Sequence, residues 1–288
     1  MIRSKSFKLL IILLFVQVFS YGQFFGSGSH TMGDVFHSQC CLLGKYKITF
    51  SPAVFYSKIT YQKQPGEYVD YQRNGFNFNI SYKFYKEFQV RFNFYADFNQ
   101  NKLKPKWLSN MYYAVGNYNW RNKTFSYGYE NYQPNRFDGS YDFFENMKRG
   151  FFFVSYNYYL LGDFISPVKL DETTQVYFSP FIRYFYEYTD RTGTRVLGHH
   201  KVVPGLNARY VIWHNFYVEG GVYAYWPVKS KMPWDPDFTY GFGYFDWRSF
   251  RLNFSYGNWV ANRFPWNGKE MKNDFTNGIF TFSYQVIW

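Results

Sequence analysis

Cysteine is nearly absent from this chain. Its 288 residues include only two, Cys40 and Cys41, and these are adjacent. Neighbouring residues do not readily reach ordinary disulfide geometry, so no disulfide framework is implied. His30 and His37 lie close by, but their spacing from the two cysteines matches no recognised zinc pattern. We therefore predict neither a metal nor a cofactor.

Long apolar runs are also scarce. Residues 9–19 are apolar apart from Gln17, and this run is shorter than the roughly 20 residues that a transmembrane helix needs. No longer apolar run follows, which excludes a helical membrane protein. The run instead follows Lys5 and Lys8 and precedes a small-x-small pattern that ends at Gly22. This arrangement predicts a secretory signal peptide, residues 1–22, that is cleaved on export.

The familiar catalytic motifs are missing. The chain contains no GxSxG, Walker or HExxH pattern. His199 and His200 fall in a predicted loop, and His214 falls in a predicted turn. No strand places a serine and a histidine on one face at the same height, as nucleophilic catalysis requires. We therefore predict that the chain is not an enzyme. Among the candidate functions, a lipid hydrolase is the least favoured.

Aromatic residues and cations are abundant instead. Phe, Tyr and Trp make up 26% of the chain, and the formal net charge is +12. A basic chain often binds nucleic acid, but export excludes that partner here. Anionic lipopolysaccharide or an acidic solute is the more natural partner. The alternative is that the lysines are simply scattered over solvated loops.

A period of two organises the strongest segments. Between residues 75–85 and 88–97, apolar and polar residues alternate on both sides of the pair Lys86 and Glu87, which predicts two strands and a tight turn. In the last segment, Gly278, Phe280, Phe282, Tyr284, Val286 and Trp288 alternate with Ile279, Thr281, Ser283, Gln285 and Ile287. One face is aromatic, and the other is mostly polar.

Twelve such segments are predicted along the chain. Short connections alternate with long loops rich in Gly, Pro, Asn, Asp and Lys, and all strands belong to one domain. The segment 124–132 has the weakest strand pattern, because it contains Gly128 and Glu130. It is kept as a strand because including it preserves the alternation of short and long connections. The predicted strands are residues 45–60, 75–85, 88–97, 109–120, 124–132, 149–161, 174–189, 201–213, 216–226, 238–246, 250–258 and 275–288.

The last segment, residues 275–288, resembles the closing strand of a Gram-negative outer-membrane β-barrel. The chain as a whole is similar to small, Bacteroidetes-like outer-membrane channels. The resemblance implies an all-β fold, a transmembrane antiparallel up-and-down β-barrel of about 12 strands, formed by residues 45–288 and placed in the outer membrane lipid. Residues 23–44 are then either a periplasmic leader or a plug. The barrel-assembly machinery is expected to engage Phe282, Tyr284 and Trp288.

In such a barrel the faces opposite the apolar ones line the lumen. The charged residues predicted there are Lys83, Arg91, Arg183, Glu187, Arg209, Glu219 and Arg251. Two interpretations stay open. The charges either pair with one another and fill a narrow bore, or they favour the passage of anions, as arginine and lysine rings do in pores. The predicted function is a passive, porin-like channel for small anionic solutes, and the alternatives are a glycan-binding or a structural barrel without conductance.

Two neighbouring predicted loops carry residues suited to a sugar site. Trp234, Asp235, Arg263 and Trp266 combine indole faces, suited to stacking on sugar rings, with polar groups that hydrogen-bond. Trp226 and Trp259 lie closer to strand ends, where an interfacial aromatic girdle is favoured. The alternative for all of these tryptophans is that same girdle.

Overall fold

The computed structural model describes most of the predicted strand region. Residues 1–47, with the predicted signal peptide, the 23–44 segment and the pair Cys40 and Cys41, lie outside the described residues. The described residues are 48–64, 67–97, 110–119, 123–135, 142–161, 175–189, 195–213, 215–232, 235–246, 250–258, 262–264, 266 and 275–287.

Twelve antiparallel strands form one closed barrel, as predicted. Each strand pairs with its neighbours in the chain, and the first strand pairs with the last, where Val54 faces Phe282. The segment 124–132, whose pattern is weakest, is a strand paired on both sides. The strands are β1 Ile48–Gln64, β2 Glu67–Tyr85, β3 Phe88–Asp97, β4 Asn110–Asn117, β5 Thr124–Asn135, β6 Phe151–Leu161, β7 Gln175–Thr189, β8 Val196–Trp213, β9 Phe216–Tyr223, β10 Phe238–Tyr244, β11 Arg251–Asn258 and β12 Ile279–Ile287.

The alternation of residues matches the alternation of burial. On β12, Thr281 and Ser283 are buried, whereas Phe280 and Phe282 are exposed. Successive side chains of a strand point to opposite faces, and a barrel wall has one enclosed face and one outer face. The polar residues of β12 therefore point inward, and its aromatic residues form part of the outer surface.

The connections distinguish the two ends of the barrel. The connection from β2 to β3 is the two-residue turn at Lys86 and Glu87, and β8 joins β9 through another short turn. Lys86 has a φ of 46° and Asn215 a φ of 69°, values that tight turns between strands often require. We call this the turn end, and the opposite end, with the longer connections, the loop end.

Parts of two predicted loops are strand. Residues 61–64 and 67–74 extend β1 and β2, and residues 196–200 begin β8 opposite the end of β7. Along residues 195–200 the side chains are exposed or only half-buried, including His199 and His200. Polar and apolar residues alternate along a strand when one of its faces is buried and the other is exposed. A hairpin whose two faces are similarly exposed therefore shows no such alternation in its sequence.

A short helix, α1 (Phe143–Met147), packs against the outer side of the wall. The side chain of Asn131 donates to the carbonyl oxygen of Asn146 at 2.8 Å, and the Tyr129 hydroxyl donates to that of Met147 at 2.6 Å. The rings of Tyr113 and Phe143 stack with centroids 5.5 Å apart. No helix among the described residues is long and apolar enough to cross a membrane.

Gly116 on β4 faces Gly128 on β5 at a close approach of the two backbones. A Cβ atom on Gly128 would lie 2.5 Å from the carbonyl oxygen of Val115 and 2.7 Å from the Cα of Gly116. We expect Gly128→Ala to lower the free energy of unfolding by about 1–3 kcal/mol, because the strands must separate to admit the methyl group. Urea unfolding in detergent micelles, followed by tryptophan fluorescence, measures this loss.

The matched control is Gly220→Ala on β9. Its new Cβ would meet only the carbonyl oxygen of Thr239, at 3.4 Å. Equal unfolding midpoints for the two variants would contradict the steric argument.

Candidate functional site in the barrel interior

The charged residues predicted on the inner face lie along the whole length of the barrel. Arg91, Arg183 and Arg209 are buried at inward positions of β3, β7 and β8. Glu187 lies nearer the loop end, and Glu219 lies on β9 opposite Arg209. At the turn end, Lys83 is half-buried, while the side chain of Arg251 is 55% exposed.

Aromatic residues share this interior with the charged residues. One buried cluster spans β4 to β9 and the segment that follows β9. The cause is visible on β6, where both faces are aromatic, so Phe151 and Phe153 point inward while Phe152 points outward. The members of this cluster are Ala114, Tyr118, Phe151, Phe153, Phe181, Phe185, Val203, Tyr223 and Tyr225, with Tyr132 packed against it.

Side chains from distant strands also meet across the barrel. Phe55 of β1 and Ile279 of β12 share a buried cluster with Tyr112 of β4. Nearer the turn end, Ala53 of β1 clusters with Tyr217 of β9 and Phe245. These strands are three or four positions apart around the barrel. The described interior is therefore packed with side chains at both levels.

Ion pairs join several of the inward charges. Arg209 Nη2 lies 2.6 Å from Glu219 Oε2, and its Nε also donates to that oxygen at 3.2 Å. Lys83 pairs with Glu87 at 3.2 Å, and Arg251 Nε lies 3.7 Å from Asp246. The attraction within a buried ion pair roughly offsets the free energy needed to remove both charges from water. Removing one partner, however, leaves a costly unpaired charge.

Glu130 is an interior carboxylate that the sequence analysis missed. It is buried on β5 and accepts a hydrogen bond from the Tyr118 hydroxyl at 2.9 Å. The Arg91 guanidinium lies over the ring of Tyr118, 3.5 Å from its centroid, which is a cation–π contact. The signal was available, because Phe125, Tyr127 and Tyr129 alternate with Ser126, Gly128 and Glu130.

At the loop end, the segment after β9 is tied to the inner wall. Lys201 of β8 forms an ion pair with Asp235, and the two side chains are 1% and 0% exposed. Asp235 also accepts a hydrogen bond from the amide of Met232 at 2.9 Å. The Tyr225 hydroxyl donates to the carbonyl oxygen of Pro236 at 2.6 Å. Burial, and then the nearby charge of Asp235, raises the pKa of Tyr225 well above its ordinary value.

A second loop segment, around Arg263, joins the same cluster. Its guanidinium donates to the carbonyl oxygens of Asp235 and Met232 and lies 3.7 Å from Asp237. Asp237 also pairs with Lys231 and accepts a hydrogen bond from the amide of Phe264 at 3.0 Å. We call Lys201, Lys231, Asp235, Asp237 and Arg263 the loop cluster.

Three of the four residues predicted to bind a sugar lie among the described residues. Asp235 and Arg263 lie together, but their polar groups are buried in the loop cluster. Trp266 is 76% exposed, and its ring stacks on Phe264 at 4.7 Å. Trp234 lies outside the described residues. The sugar site stays a prediction. The exposed ring of Trp266 offers a surface on which a sugar ring could stack.

The histidines show no catalytic arrangement within the described residues. His200 Nδ1 lies 2.8 Å from the Tyr184 hydroxyl, and His199 Nδ1 lies 4.0 Å from Glu187. Both histidines lie on the exposed beginning of β8. Across the described ranges, no group of three His, Cys, Asp or Glu side chains is arranged to hold a metal ion.

Comparison with known proteins finds no match among protein-family models or among curated proteins. The chain is similar in structure to an outer-membrane channel from Pseudomonas putida F1, with 11% sequence identity and a TM-score of 0.41, over 84% of this chain and 96% of that one. It is also similar to a triple mutant of the Rhodopseudomonas blastica porin, with 10% identity and a TM-score of 0.28, over 84% of this chain and all of that one.

Proposed function

We propose that this chain is an outer-membrane β-barrel that provides a narrow route for small anionic solutes. The observation that carries the proposal is the outer surface of the closed barrel. Every strand but β10 exposes at least one large apolar side chain there, and β10 adds the half-buried Phe242. A water-soluble protein rarely exposes so large an apolar surface, whereas a bilayer requires one.

The inward cations support an anionic solute. Arg91, Arg183, Lys201 and Arg209 line the interior at different heights, with Lys83 and Arg251 at the turn end. Cationic side chains along a narrow, low-dielectric bore lower the energy of an anion relative to a cation. Because carboxylates balance several of these charges, we expect a moderate anion preference.

A non-conducting structural barrel is the second candidate. It is favoured by the buried clusters that join distant strands through Tyr112 and Tyr217. In a conducting barrel these aromatic side chains must move to admit a solute, so the conductance should be small. In a structural barrel they stay in contact, and no current flows.

Current through the purified protein in a planar lipid bilayer distinguishes the two candidates. In a potassium chloride gradient we expect small channels whose reversal potential has the sign of anion preference. The double variant Lys83→Gln and Arg251→Gln should move that potential towards the cation side while the protein still folds and inserts. Both residues lie near the turn end, so their charges act on ions that enter there.

The matched control is Lys148→Gln, since Lys148 is an exposed cation next to α1 on the outer side of the wall. Its reversal potential should equal that of the wild type. A wild-type protein that inserts but carries no current would support the structural barrel instead.

A further inference from the structure

Arg183 differs from the other charged residues of the interior. It lies in the middle of β7, between Phe153 of β6 and Val203 of β8, and is 0% exposed. Its Nε, Nη1 and Nη2 atoms are all buried, and none of them has a hydrogen-bond partner among the described residues. A buried charge without partners is among the most costly arrangements in a protein.

Aromatic rings surround the guanidinium but leave its donors unsatisfied. The centroids of Phe181, Phe151 and Tyr223 lie 4.4, 5.4 and 5.8 Å from Arg183 Cζ. Cation–π contacts offset part of the lost hydration. The five N–H donors of a guanidinium, however, lie in its plane and require acceptor atoms, which rings of Phe do not provide.

The described carboxylates of the interior have other partners. Glu219 pairs with Arg209, Asp235 with Lys201, and Glu187 lies 4.0 Å from both Arg149 and His199. Glu130 accepts the hydrogen bond from Tyr118. No described carboxylate lies within 4.0 Å of the Arg183 guanidinium, so no described residue forms an ion pair with this arginine.

We propose that Arg183 is the binding site for a small monocarboxylate inside the barrel. The two oxygens of a carboxylate match the fork of the guanidinium and accept two parallel hydrogen bonds. The rings of Phe151, Phe181 and Phe185 belong to one buried apolar cluster, which favours a singly charged anion because a dianion costs more to desolvate. They also exclude water, which strengthens the charged hydrogen bonds. The proposal rests on the proposed function in one respect, because the anion must enter the barrel.

Thermal unfolding of the full chain in detergent, with acetate as the probe, tests the site. A ligand that binds only the folded state raises the melting temperature in a saturable manner. We expect such a rise for the wild type in acetate, compared with chloride at equal ionic strength, and no rise for Arg183→Met. Lys148→Met, which removes an exposed cation on the outer side, should keep the full response.

A second variant keeps the test informative if Arg183→Met does not fold. Arg183→Lys retains the charge but loses the fork, so its apparent acetate affinity should fall about tenfold or more. Phosphate is the comparison anion and should give a smaller rise, because a dianion of greater size is costlier to desolvate. An unchanged acetate response in both Arg183 variants, or a wild type that responds equally to acetate and chloride, would overturn the proposal.

Bilayer currents separate this proposal from the proposed function. Acetate that enters and binds at Arg183 should reduce the chloride current of the wild type in a saturable manner, but not that of Arg183→Met. An anion-selective wild type that acetate neither blocks nor stabilises would overturn the site and leave the channel intact. A saturable melting response in a protein without current would support the site and overturn the channel.

Discussion

Phe282→Arg is expected to prevent stable insertion of the barrel into a bilayer. Phe282 lies near the middle of β12, is 59% exposed on the outer face, and faces Val54 of β1 and Phe254 of β11. In an outer-membrane barrel this position contacts lipid. An arginine at the bilayer midplane costs about 2–4 kcal/mol. The strand also closes the barrel, so its displacement would expose the hydrogen-bonding edges of two strands.

Folding into lipid vesicles, followed by the shift in gel mobility between unheated and boiled samples, measures the effect. Phe282→Leu is the matched control and should insert like the wild type, because it remains apolar. Efficient insertion of Phe282→Arg would indicate that this face does not contact lipid, and it would refute the proposed location.

Asp235→Ala is expected to lower the free energy of unfolding by about 3–5 kcal/mol, the usual cost of breaking a buried ion pair. The substitution leaves the Lys201 ammonium buried at the loop end, beside the rings of Phe185, Tyr188 and Tyr225. It also removes the acceptor for the amide of Met232. Urea unfolding in detergent micelles measures the change in stability.

The double variant Lys201→Met and Asp235→Leu tests whether the unpaired charge causes the loss. Apolar side chains of similar volume often replace a buried ion pair at little cost, so this variant should recover most of the stability. Equal losses of unfolding free energy in the single and double variants would show that packing or the amide hydrogen bond, and not the unpaired charge, causes the loss. A single variant as stable as the wild type would show that the segment moves to expose Lys201 to water.

The strands were predictable where one face is enclosed and the other is not. On β12 the alternation of Phe280 and Phe282 with Thr281 and Ser283 predicted both the strand and the orientation of its faces, and the structure has both. The same holds for β3, where Arg91 alternates with Phe92. Where burial differs little between the faces, as at the beginning of β8, the sequence carried no such signal.

The interior was less predictable, because its contacts join residues far apart in the sequence. Lys201 and Asp235 are 34 residues apart, and nothing in either segment indicates that one neutralises the other. Phe151 and Phe153 belong to a strand that is aromatic on both faces, so periodicity could not assign them to the interior. The partners of Asp235 and Arg263 likewise depend on how two loop segments fold against the wall.

The sequence by itself determined the all-β class, the number of strands and which polar residues of the regular strands face inward, because each follows from the period of two along a single segment. Only the tertiary structure decided how the inward residues meet. It paired Arg209 with Glu219 and buried Asp235 against Lys201, and it enclosed Arg183 in aromatic rings. Closure of the barrel sets these distances, since it brings side chains from distant strands into one interior.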